Sequence, residues 1–274
     1  MSEPPEVSAE SWSIVDGNTG DIIFAHNQTE RREIASLTKI MTIYTVFSVS
    51  ERLNINLEEN EVTVSKTAVT IGGTKAFIKE GDIFKANDLL YGLMLPSGND
   101  AGKCLCEHFG LYLAKEFGKE TSSLMLGRKH FVHEMNKNAK ALGMTHTKYD
   151  NPTGLCGIYN KSTAEDLGKL CSAAMKLPKF REVVSCKEYS CVARTMEGQE
   201  RQYSWKNTNK MLEKGYNGIK TGITSSAGPC LASSIETKDY FLVIILLKSK
   251  TTDIRWNETE ALTNWILKEL NTKK

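Results

Sequence analysis

Proline is sparse in this chain, six in 274 residues, and no stretch is dominated by one charge or by a few residue types. Linkers and low-complexity segments are therefore not expected, and neither is an internal repeat. Long hydrophobic runs are missing too. The longest, Phe241-Leu242-Val243-Ile244-Ile245-Leu246-Leu247, falls far short of the roughly 20 residues of a membrane-spanning helix and suits a strand buried on both faces. Charge of one sign is not massed: 35 Lys and Arg against 33 Asp and Glu leave a net +2, so the electrostatic footprint of a nucleic-acid binder is absent. The seven cysteines, Cys104, Cys106, Cys156, Cys171, Cys186, Cys191 and Cys230, are odd in number and lack paired C-x-x-C spacing. Neither a zinc site nor a fully disulfide-paired monomer follows; Cys186 and Cys191 are close enough for a hairpin pair, but reduced thiols packed as small hydrophobes are expected. The leader Met1-Ser2-Glu3-Pro4-Pro5-Glu6 has no basic region and no apolar core, so a secretory signal is not expected in this chain.

What is present is an ordinary globular balance, 40% hydrophobic and 25% charged, in a chain long enough for one large domain or two small ones. Trp12 to Val15 and Ile22 to Phe24 flank the turn-rich Asp16-Gly17-Asn18-Thr19-Gly20, which predicts an N-terminal hairpin. The spacing of Leu37, Ile40, Met41, Tyr44 and Phe47 predicts a helix with Ser36 in its first turn, running to about Ser50. Further helices are predicted over Ala86 to Met94, Ala101 to Phe117, Gly127 to Leu142 and Thr163 to Met175, bounded by Pro96, Gly143 and Pro178. From about Glu188 the texture turns to strands, and a last helix runs from about Glu258 to Leu270. The expected class is α+β: residues 1–60 and 188–274 build one antiparallel sheet with helices against it, and 61–187 form an inserted, mainly helical lobe.

Ser36 and Lys39 stand three apart at the start of a predicted helix, so their side chains can touch. A serine hydroxyl needs a base to act as a nucleophile at neutral pH, and a lysine is such a base only where burial or a neighbouring cation lowers its pKa. Taken alone, the pair also fits an N-cap serine followed by a solvated lysine. Two more short motifs make the difference: Ser97-Gly98-Asn99 in the loop after a lobe helix, and Lys220-Thr221-Gly222 on a strand. Ser97 offers a proton path, Asn99 an amide donor, Lys220 a fixed cation; Gly222 would let an extended peptide lie against the strand. His130 and His133 sit one helical turn apart without a third ligand, so no metal and no cofactor is expected.

In the order Ser-x-x-Lys, Ser-Gly-Asn, Lys-Thr-Gly, the sequence resembles the penicillin-recognising serine hydrolases. It is most similar to their low-molecular-mass D-alanyl-D-alanine carboxypeptidases, through Ala35-Ser36-Leu37-Thr38-Lys39-Ile40-Met41-Thr42, Leu95-Pro96-Ser97-Gly98-Asn99-Asp100-Ala101, Asn151-Pro152-Thr153-Gly154-Leu155 and Gly218-Ile219-Lys220-Thr221-Gly222-Ile223-Thr224. That resemblance implies the β-lactamase/transpeptidase-like fold and removal of the terminal D-Ala from peptidoglycan stem peptides through a Ser36 acyl-enzyme. Lys39 would be the base; Ser97 and Lys220 would relay protons, and Asn99 would bind the substrate amide. The N–H groups of Ser36 and Ile223 would form the oxyanion hole, and Thr221, Thr224 and Arg255 would hold the free carboxylate. β-Lactams would be covalent inhibitors, and the place of work extracytoplasmic; the family's second domain and membrane anchor are not expected within these 274 residues. Ile34, where the family usually has proline, and Thr208, where some members have arginine, depart from the pattern. A serine β-lactamase and a non-enzymatic penicillin-binding sensor are the rival readings; no Glu-x-x-Leu-Asn segment supports the first.

Overall fold

The computed structural model describes residues 2–155, 157 and 159–272; Cys156 lies outside the described residues. In chain order, β1 (Ser11–Asp16) and β2 (Ile22–His26) form the expected hairpin, and β3 (Arg32–Glu33) leads through a 3-10 turn, Ala35–Leu37, into α1 (Thr38–Leu53). Next come β4 (Glu61–Thr63), α2 (Lys66–Val69), β5 (Ile83–Lys85), α3 (Ala86–Met94), α4 (Asn99–Glu116) and α5 (Leu124–Ala141). After β6 (Lys161–Ser162), α6 (Ala164–Met175) and α7 (Pro178–Ser185) come five strands: β7 (Glu188–Arg194), β8 (Glu200–Lys206), β9 (Ile219–Gly222), β10 (Cys230–Glu236) and β11 (Phe241–Leu247). The chain closes with α8 (Ile254–Thr272).

Both chain ends build a five-stranded antiparallel sheet in the order β2-β1-β11-β10-β9. β11 is buried throughout, as its unbroken apolar run requires. Its side chains divide with the period of two that a strand imposes. Leu242, Ile244 and Leu246 join Trp12, Ile14, Trp256 and Leu262 in a core under α8. Val243, Ile245 and Leu247 join the larger core shared with α1 and the lobe helices. β9 is one edge of this sheet, opposite β2, and Lys220 and Thr221 lie on it.

Three expectations change in detail. Ser36 is not inside the helix: it occupies the 3-10 turn, and α1 begins two residues later, at Thr38. Arg255 falls within the first turn of α8 rather than before the helix. The third change concerns β7 and β8, read as part of the chain-end sheet from residue 188 on. They pair instead with β4 and β5 in a separate four-stranded sheet, β4-β5-β7-β8, because strand texture says nothing about which edge a strand will find. All six described cysteines are free thiols; Cys186 precedes β7 and Cys191 lies on it, so the two do not face each other across a hairpin.

Candidate active site

Ser36, Ser97, Asn99, Thr208, Thr221 and Arg255 line one cleft of about 290 Å³ between the sheet edge and the lobe. Lys39 and Lys220 lie beneath its floor, 0% and 1% exposed. Lys39 Nζ is 2.9 Å from Ser36 Oγ, 2.7 Å from Asn99 Oδ1 and 3.0 Å from the Thr153 carbonyl oxygen. Asn99 Nδ2 donates to the Gly72 carbonyl at 2.8 Å, which fixes the amide with its oxygen toward Lys39. Two of the three partners of Lys39 can therefore only accept. An uncharged amine has two N–H groups for them and one lone pair left for the Ser36 hydroxyl, while an ammonium would donate to all three, so the geometry admits either form.

The electrostatics favour the neutral amine. Burial holds the Lys39 pKa well below the ordinary lysine value; the charge of Lys220 adds to this, and the carboxylate of Asp100 opposes it. Lys220 is itself held down to about 7, first by burial and then by the Arg255 guanidinium. Arg255 is 7% exposed and donates from Nη1 to the carbonyls of Gly222 and Cys230, both at 3.1 Å. It has no carboxylate partner among the described residues, and burial lowers its pKa as well. The cleft is thus lined by no Asp, Glu or His among the described residues, and its walls carry uncompensated positive character suited to an anionic ligand.

Local structure explains how each group is held. Ser97 sits at φ +61, a conformation sparsely populated outside glycine, and its carbonyl accepts from Thr74 Oγ1 at 2.6 Å. Its Oγ is buried without a hydrogen-bond partner, so no bond joins it to Lys39 or Lys220. Lys220 Nζ donates to the Thr221 carbonyl at 3.2 Å. Thr221 Oγ1 lies 3.0 Å from Thr208 Oγ1, and Thr224 Oγ1 accepts from the Ala227 N–H at 3.0 Å. The N–H groups of Ser36 and of the half-exposed Ile223 have no hydrogen-bond acceptor among the described residues. Gly222 has a nearer reason to be glycine than the approach of a peptide. A Cβ there would stand 3.0 Å from the Ile34 carbonyl and 3.2 Å from the Ser36 nitrogen, so a side chain would push β9 a few tenths of an ångström away from the Ser36 turn.

Sequence reasoning quoted the Asn151-to-Leu155 segment and Asp100 without giving them a role. Thr153 supplies the third partner of Lys39 through its backbone, where residue type leaves no mark. The loop that carries it is tied to α1 by Thr42 Oγ1 donating to the Pro152 carbonyl and Asn160 Nδ2 donating to Thr38 Oγ1, both at 2.6 Å. Buried Asp100 accepts from the N–H groups of Ala76, Ile78 and Ala101, and so fixes the irregular segment that brings Gly73 and Thr74 to the cleft. The signal for Asp100 was its place in the Ser-Gly-Asn-Asp word.

Such a site, a serine beside a buried lysine at the junction of an antiparallel sheet and a helical lobe, defines a serine hydrolase of the transpeptidase-like fold. The family model described as D-alanyl-D-alanine carboxypeptidase matches residues 1–251, and the chain belongs to that family. The D-alanyl-D-alanine carboxypeptidase of Streptomyces sp. strain K15 is 32% identical over 95% of this chain and 88% of its own length. DacC of Escherichia coli K12 is 33% identical over 96% of this chain and 62% of its own length. The chain spans about three fifths of the length of DacC and of the Bacillus subtilis relative DacF. Among solved structures, the Streptomyces K15 DD-transpeptidase superposes with a TM-score of 0.88 at 31% identity, covering 96% of this chain and 98% of that one. Penicillin binding protein 6B from Escherichia coli does so at 0.80 and 31%, covering 96% and 78%.

Proposed function

We propose that this protein removes the terminal D-Ala from peptidoglycan stem peptides ending in D-Ala-D-Ala, through an acyl-enzyme on Ser36, and that β-lactams acylate the same oxygen. The contact between Ser36 Oγ and a fully buried Lys39 amine, with two carbonyl acceptors fixing that amine, carries the reading. As Ser36 Oγ bonds to the carbonyl carbon of the penultimate D-Ala, its proton passes to Lys39 Nζ. The N–H groups of Ser36 and Ile223 stabilise the oxygen that gains charge. The carbon–nitrogen bond then breaks as the proton held by Lys39 passes through Ser97, beside Lys220, to the leaving D-Ala amine, and water cleaves the ester, its hydroxyl going to the acyl carbon and its proton to the Ser36 oxygen. The second N–H of Asn99 Nδ2 is left to meet a substrate carbonyl. Thr221, Thr224 and Arg255 face the terminal carboxylate, so an amidated peptide should be a poorer substrate by about ten- to a hundredfold per lost charge-assisted contact.

A β-lactamase reading calls for a water-activating carboxylate, and none lines the cleft among the described residues. Glu165, at the start of α6, accepts from Lys169 at 2.9 Å and does not line the cleft. Work outside the cytoplasmic membrane, where the polymer is, belongs to the same proposal. The test is D-Ala release from diacetyl-Lys-D-Ala-D-Ala: release by the native protein, none by Ser36→Ala, and none when Lys39 is replaced by Arg. A Ser36→Ala variant that still gains the mass of one penicillin would overturn the assignment.

A further inference from the structure

A second cavity, of about 520 Å³, lies directly against the cleft and shares Thr153 and Leu155 with it. Three cations face it: Lys103 from α4, and Arg128 and Lys129 from α5. Arg128 is already paired with the buried Glu107 at 2.7 Å. Asp150, its one carboxylate among the described residues, is turned to its own loop, where it accepts from Asn151 Nδ2 at 2.8 Å and from the Tyr159 N–H at 3.3 Å. Lys103 and Lys129 are left without an ion pair or hydrogen bond among the described residues. Ile71, Met125, Val132 and Leu155 supply apolar wall between these charges. An anionic group on a short alkyl spacer matches that lining.

The cavity is on the acyl-donor side of the site. Lys103 follows Asn99 by four residues in α4, on the same face and about 6 Å along the axis. Between them α4 packs on the loop that holds Lys39: a Cβ at Gly102 would stand 3.3 Å from Thr153 Cγ2. The groups assigned to the terminal carboxylate belong to β9, its following turn and α8, on the sheet side. The residues preceding the scissile bond must then leave toward the lobe, where Asn99, Leu155 and Lys103 stand. We propose that this cavity is a subsite for a carboxylate carried by the acyl-donor part of the peptide, with Lys103 selecting it and Lys129 adding to the field. The proposal rests on the reaction proposed above.

Two peptides isolate the contact: diacetyl-Lys-D-Ala-D-Ala, and the analogue whose lysine carries Nε-succinyl in place of Nε-acetyl, which adds one carboxylate. The native protein should show a kcat/KM about three- to tenfold higher for the succinyl peptide at low salt, with the ratio shrinking as salt is raised. Lys103→Met should bring the ratio close to one and Lys103→Glu should invert it, with melting curves showing both variants folded. Equal kcat/KM for the two peptides in the native protein would overturn the subsite, as would a preference that survives in Lys103→Met. Release of D-Ala from neither peptide would instead overturn the reaction, since that failure does not depend on the added carboxylate.

Discussion

Lys39 and Lys220 have almost no exposed surface, and each one's chemistry depends on the other. Protonating Lys39 removes the lone pair that takes the Ser36 proton, so acylation should fall as pH drops, and a Lys39→Arg variant, charged at every working pH, should not acylate. Acylation by that variant at a near-native rate would place the base elsewhere. Lys220 leaves a thermodynamic trace as well. Unfolded, it keeps its proton up to about 10.5; folded, only to about 7. Between those values the unfolded chain binds more protons, so this residue makes stability rise with pH, and at pH 7 and below it costs on the order of 4 kcal/mol. Lys220→Met should therefore be inactive yet melt higher than the native protein at pH 6, with the advantage shrinking as pH approaches 10. A destabilised variant, or a gap independent of pH, would show that the surroundings do not hold the lysine's pKa down.

Between the residues and the fold stand the turn at Ala35–Leu37 and the loop carrying Thr153, which must touch for Lys39 to find its third partner. Gly154 shows how close they come. It has φ +77, and a Cβ on it would fall 1.8 Å from the Ala35 carbonyl oxygen; Gly143 has φ +68 with nothing within 4 Å of its Cβ position. Gly143→Ala should cost only the conformational strain, about 1 kcal/mol, whereas Gly154→Ala adds a backbone clash and should cost at least about 2 kcal/mol with loss of acylation. Denaturant midpoints and penicillin labelling measure both; equal costs would remove the contact from the argument. Gly154 also marks what could be read from the chain. Ser36, Lys39, Ser97, Asn99 and Lys220 were legible because their chemistry is in their side chains and their order. The α1 helix was legible from apolar spacing, and α3 from the Pro96 that halts it. The Thr153 carbonyl, the Gly222 approach to Ile34 and the pairing of β7 with β5 were not, because backbone acceptors carry no residue signature and strand periodicity does not name a neighbour. Arg255 was assigned to a substrate carboxylate; its bonds to Gly222 and Cys230 show that it also fastens the β9 edge.

The whole molecule places its reactive serine in a cleft made by two parts with different duties. The sheet and its turn bring Ser36, Lys220 and the N–H groups proposed for the oxyanion to the cleft. The lobe supplies Ser97, Asn99 and Thr153, and no element on either side brings an Asp, Glu or His into the cleft lining among the described residues. This has a consequence for the second half of the reaction. After a peptide acylates Ser36, D-Ala diffuses away and water enters the space it leaves. After penicillin does so, the opened ring keeps the leaving amine tethered over the ester, and water must approach by another side, where a base other than Lys39 would be needed to activate it. Glu165, the acid whose sequence position comes nearest to such a role, is bound to Lys169 away from the cleft. The penicilloyl-enzyme should therefore hydrolyse slowly, and penicillin G should act as an inhibitor. Given in stoichiometric amount, it should abolish D-Ala release, with activity returning over minutes to hours as the ester decays; several drug molecules turned over per second would mean that a water-activating group reaches the ester after all.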